Sequence, residues 1–99
     1  MASLQIDFLA GFNATKSNIK INGKLRDRFI LSTDYSIGLA KSVRYQLNDA
    51  SISLTLEFPT LDQFTQVDIN LANDVYIRVE LDDNILVQTA VTSTPPSYF

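Results

Sequence analysis

Between Ser51 and Phe58 every second residue is apolar: Ile52, Leu54, Leu56 and Phe58 alternate with Ser51, Ser53, Thr55 and Glu57. A period of two sends these two sets to opposite faces of a strand, whereas a helix would scatter the apolar set around its axis. The same alternation returns in Leu4, Ile6 and Phe8, in Val67, Ile69 and Leu71, and in Val75, Ile77, Val79 and Leu81. Turn formers separate the runs. A loop at Gly11 to Asn18 follows the first of them, Asn22-Gly23 marks a hairpin between residues 19–21 and 24–31, and Pro59 stops the strand that begins at Ser51. Residues 59–64 have room for one helical turn, Ala72-Asn73-Asp74 is a turn, and Asp82-Asp83-Asn84 turns the chain into a last strand over residues 85–91.

Two segments are less direct. A two-residue loop at the hairpin sets Ile19 opposite Arg26 and Ile21 opposite Lys24, mixing apolar and charged side chains on one face. A three-residue loop with Gly23 left-handed sets Ile19 opposite Leu25 and Lys20 opposite Lys24, and is the register expected. Residues 32–47 satisfy two periods. Ile37, Ala40, Val43 and Leu47 suit a helix capped by Asp34, while Tyr35, Ile37 and Leu39, then Val43, Tyr45 and Leu47, suit two strands. Gly38 costs the helix about 1 kcal/mol, so strands are expected. The sum is an all-β fold, a small antiparallel β-sandwich or partly open β-barrel of about seven short strands with at most one short helix. Residues 1–91 form a single β domain and residues 92–99 an extended C-terminal arm, with Leu54, Leu56, Ile69, Ile77 and Val79 in the core.

Composition narrows the chemistry. Zero Cys among 99 residues excludes disulfides, thiolate catalysis and Cys-ligated metals, and zero His removes the usual general base and commonest metal ligand. The remaining acids, Glu57, Glu80 and nine Asp, sit on polar strand positions or in turns, where they read as solvated. There is no nucleophile turn of the G-x-S-x-G kind. Asp82-Asp83-Asn84 and Asn73-Asp74 are oxygen-rich, but they lack the convergent pattern of a calcium loop and read as turns. A non-enzymatic protein with no cofactor and no metal is expected. No purely apolar run exceeds three residues and the start of the chain has no basic leader, so no membrane contact is expected, and a non-secretory protein made in a reducing cytoplasm is. Asn13-Ala14-Thr15 is then a glycosylation sequon by coincidence.

Charge is divided along the chain. Residues 1–48 hold seven bases against three acids, a net of +4, and residues 49–99 hold one base against eight acids, a net of −7. Side by side in a β domain the halves neutralise each other, and this is the plainer expectation; the sharper one is a dipolar particle associating head to tail. Lys24, Arg26 and Arg28 share one strand face by the two-residue period, with Lys20 across the hairpin. No aromatic is interleaved on that face for base stacking and the chain is acidic, with a pI near 4.6, so the stripe reads as a solvated edge that discourages wrong strand pairing, or as part of a partner-binding surface, rather than as a nucleic-acid site. After Val91 a polar segment with a Pro pair ends in Tyr98 and Phe99, two aromatics placed to anchor on a neighbouring subunit or on their own sheet. The partners expected are other protein subunits, copies of this chain in a larger assembly, and the concrete class is a small viral or phage virion component of tail, decoration or capsid. The alternative is a carbohydrate-binding module using Tyr35, Tyr45 and Tyr76.

Overall fold

A computed structural model describes residues 2–34, 36–82 and 85–92, with side chains through residue 81. Eight strands form among the described residues: β1 (Ala2–Phe8), β2 (Thr15–Ile21), β3 (Lys24–Leu31), β4 (Lys41–Leu47), β5 (Ser51–Phe58), β6 (Gln63–Asn70), β7 (Val75–Asp82) and β8 (Ile85–Thr92). Their helical content is one 3-10 turn, Pro59–Leu61, begun by the proline that ends β5. Two four-stranded sheets, in the orders β4-β1-β7-β8 and β3-β2-β5-β6, form a sandwich that does not close into a barrel. The strand pairs are antiparallel except that β1 and β7 run parallel, Leu4 beside Val75 and Phe8 beside Val79.

Alternation builds the core as expected. Leu4, Ile6 and Phe8 from β1, Ile52, Leu54, Leu56 and Phe58 from β5, and Val75, Ile77, Val79 and Leu81 from β7 all lie in one buried cluster with Ile69. Burying a Leu or Ile completely is worth about 1.5–3 kcal/mol, which is why a one-residue slip in phase, which would turn the apolar set outward, is not tolerated on these strands.

Where the residue pattern is weaker, the chain differs from expectation. The loop expected to run to Asn18 ends at Ala14, because β2 starts at Thr15. Thr15 and Ser17 occupy its inward positions and are buried, so a polar stretch takes a strand position that apolar alternation could not reveal. Within the shortened loop Phe12 is buried, with its ring centroid 5.8 Å from those of Phe8 and Phe58. The segment is thus tied into the core. Gly11 makes this possible: its φ is +93°, and a Cβ there would sit 2.0 Å from the Leu81 carbonyl oxygen.

The hairpin is also corrected. Asn22 and Gly23, at φ of 53° and 80°, make a two-residue turn that sets Ile21 opposite Lys24 and Lys20 opposite Leu25. The pairing then shifts, Ile19 facing Asp27, so Arg26 is the extra residue of a β-bulge. Without it Phe29 would face outward beside Lys16; with it Phe29 and Leu31 turn inward opposite Ser17 and Thr15. The bulge supplies the phase change for which the longer loop was expected. Of residues 32–47 only the second half is a strand. Before β4 the backbone makes a single bridge, Asp34 to Leu39, and the Asp34 carboxylate accepts the Ser36 backbone N–H (3.0 Å) and hydroxyl (2.7 Å), holding a turn rather than capping a helix. At the other end β8 runs one residue past the expected limit of the domain, to Thr92.

Candidate functional site

The sheet orders sort the chain's two halves in space. In each sheet the two strands of the first half lie together, β4-β1 and β3-β2, and the two of the second half lie together, β7-β8 and β5-β6. Tyr45 of β4 donates its hydroxyl hydrogen to the Asp27 carboxylate of β3, and Lys41 of β4 lies 4.6 Å from the Phe29 ring centroid, so the β4 edge stacks on the β3 edge. At the opposite side β6 lies against β8. Strands β1–β4 carry seven bases against Asp7 and Asp27; strands β5–β8 carry four acids against Arg78. The halves therefore lie side by side without interleaving, and the sandwich is basic on one flank and acidic on the other. Contact between opposite signs occurs at the seam, where Lys20 of β2 bridges Glu57 of β5 at 3.1 Å and Asn18 donates to the same carboxylate at 3.3 Å. Those donors hold the Glu57 carboxyl below the usual carboxylate range, Lys20 contributing most.

The basic flank is built on the exposed edge strand β3. Lys24, Arg26 and Arg28 are all exposed there, but they do not form the single-faced stripe that a two-residue period implies. Lys24 pairs with Ile21 on the inward side, Arg28 pairs with Asn18 on the outward side, and Arg26 sits in the bulge between them. The Arg26 guanidinium lies 5.2 Å from the Tyr45 ring centroid, adding a cation–π contact to the Tyr45–Asp27 hydrogen bond. The three cations thus fan around the edge of the sandwich instead of tracking one face.

On the outer face of the β3-β2-β5-β6 sheet one row reads Arg28, Asn18, Glu57, Phe64, each residue directly opposite the next. An open depression of about 400 Å³ lined by Lys16, Arg28, Phe29, Ile30 and Pro59 lies toward the basic edge. A second, lined by Glu57, Pro59, Asp62 and Phe64, lies toward the acidic edge. Ile30 and Phe64, at 70% and 69% exposure, are the most exposed large apolar side chains among the described residues, and each belongs to an edge strand of this sheet. Neither was singled out from the sequence, yet the signal is there: Ile30 is out of phase with the inward Phe29 and Leu31, and Phe64 is out of phase with Val67, Ile69 and Leu71.

The other candidate residues fall elsewhere. Tyr45 and Tyr76 are buried, so they do not form an exposed platform for a sugar, and Tyr35, the third, lies outside the described residues. Tyr98 and Phe99 also lie outside them. Asp7 is not a solvated acid: it is 1% exposed, accepts a hydrogen bond from the Ser42 hydroxyl (2.5 Å), which fastens β1 to β4, and accepts another from the Gln5 amide (3.2 Å) of its own strand. Asp74 accepts the Ser3 backbone N–H at 2.9 Å, which holds its carboxyl below the usual range. Asp83 and Asn84 lie outside the described residues, among which no group of three or more acids gathers to hold a metal ion. No helix among the described residues is long and apolar enough to cross a membrane. No family model, curated protein or solved structure matches the chain.

Proposed function

We propose that this chain is a non-enzymatic subunit of a protein assembly, acting through contact between copies of itself. The observation that carries this reading is the lateral separation of charge, with seven strand-borne bases on one flank and four strand-borne acids on the other. A particle with opposite flanks of opposite sign attracts copies head to tail and repels them head to head. Such heterologous contact generates rings or open filaments, the geometries of repeated particles such as a virion tail or shell.

Sedimentation velocity across a range of salt tests the reading. Assemblies larger than the 11.1 kDa monomer are expected at low ionic strength, shrinking as about 0.5 M salt shortens the screening length to a few Å. A monomer under every condition, at concentrations up to the solubility limit, would overturn it.

A further inference from the structure

Resting on that reading, we infer that the head-to-tail contact is a strand-to-strand pairing in which the outer edge of β3 of one copy receives the outer edge of β6 of the next. Both strands end a sheet, and no described strand pairs with either outer edge, so along residues 28–30 of β3 and 64–68 of β6 each presents backbone donors and acceptors with no strand partner among the described residues. Within the sheet β3 is antiparallel to β2, β2 to β5 and β5 to β6, so β3 and β6 point in opposite directions. Placing a second copy beside the first by simple translation therefore makes β6 and the neighbour's β3 an antiparallel pair, extending one sheet through both molecules.

Charge selects this pairing over its rivals. β3 carries Lys24, Arg26 and Arg28 against Asp27, whereas β6 carries Asp68 with Asp62 just before it and no base. Two β3 edges would bring like charges face to face, as would two β6 edges; one of each brings opposite charges together. Edge cations and a bulge commonly protect against strand addition, and here they do so against β3 itself. Beyond the bulge, Arg28 through Leu31 keeps regular pairing with β2, which leaves its outer edge regular too. No proline interrupts either strand.

The exposed apolar residues fix the register. Setting Phe64 opposite the neighbour's Ile30 covers the two most exposed large apolar side chains among the described residues with each other. Gln66 then faces Arg28 of the next copy, and Asp68 comes level with its Arg26. A second copy of this chain thus completes, at one edge, the basic flank, the apolar contact and the backbone hydrogen bonding together.

The chain has no Cys, so single introduced cysteines report one contact each. Ile30→Cys and Phe64→Cys chains, mixed in equal amounts at low salt with oxidised glutathione, should yield the mixed disulfide dimer in roughly tenfold excess over either same-variant dimer, because steering favours opposite edges. Arg26→Glu added to the Ile30→Cys chain should remove that excess, and Asp68→Lys added to the Phe64→Cys chain should then restore it, since the two positions come level in this register. Both cysteine positions are exposed, and a thermal melt confirms that each variant folds. Equal yields of all three dimers, or none, while the unmodified chain still shows salt-sensitive association, would overturn this pairing and leave head-to-tail assembly standing. A unmodified chain that stays monomeric would remove both.

Discussion

The Tyr45 hydroxyl reaches from β4 of one sheet to the Asp27 carboxylate on β3 of the other, and Arg26, the bulged residue beside Asp27, lies over the same phenol ring. Two sheets that meet elsewhere through apolar side chains are joined at this edge by a polar contact. Tyr45 is buried, and burial together with the Asp27 hydrogen bond raises its phenol well above the ordinary value of 10, so the folded state keeps the proton that an unfolded chain gives up.

Stability should consequently fall as pH rises beyond about 10, since the unfolded state there binds fewer protons than the folded one. Tyr45→Phe removes this alkaline limb. At neutral pH the same change removes a hydrogen bond to a charged acceptor, with an expected loss of about 1.5–3 kcal/mol. Urea unfolding of both proteins at pH 7 and at pH 11 measures each effect, and parallel pH dependence in the two would show that Tyr45 ionises as freely in the fold as outside it.

Asp74 contributes with the opposite sign. Its carboxyl is held low by the Ser3 backbone N–H, so the stabilisation is complete above the ordinary carboxylate value of 3.8 and is lost as pH falls below that value through the lowered one. Asp74→Asn should flatten the acid limb of the stability profile and leave the alkaline limb unchanged. Thermal melts between pH 2 and pH 6 provide the comparison.

Gly11→Ala should destabilise by about 1–3 kcal/mol, because the left-handed backbone and the Leu81 carbonyl both oppose a side chain there. Gly23 gives an internal control: its φ is also positive, but nothing lies within 4 Å of a Cβ at that site. A larger loss at Gly11 than at Gly23 in guanidinium titrations distinguishes collision from strain alone.

Leu54→Ala should cost about 2–5 kcal/mol, since Leu54 is 1% exposed in the centre of the core and a cavity there has few ways to collapse. The measurement is the denaturant midpoint at constant slope.

What could be read from the residues follows the strength of the apolar signal. β5 and β7 alternate without interruption, and their inward sets are buried as their phase requires. β2 escaped for most of its length because Thr15 and Ser17 hold inward positions with polar side chains, and a pattern of apolar residues cannot register a buried hydroxyl. The bulge at Arg26 was hidden for a different reason: a single extra residue changes the face of everything after it, and local composition does not say where it is inserted. That one residue separated Lys24 from Arg28 and dissolved the expected stripe. The division of charge was visible as a count along the chain, but its meaning depended on strand order, which is a property of long-range pairing.

The parallel pairing of β1 with β7 sets a timetable for the chain as it leaves the ribosome. β1 is made before both of its partners, yet one of its two edges stays bare until Val75 to Val79 have emerged, some seventy residues later. Until then, Leu4, Ile6 and Phe8 ride on a strand with an open side, held only by β4. Completion of this sheet therefore arrives in one late step, after β2 and β5 have already joined the two halves in the other sheet, and the nascent chain is most open to mispairing with its neighbours just before that step.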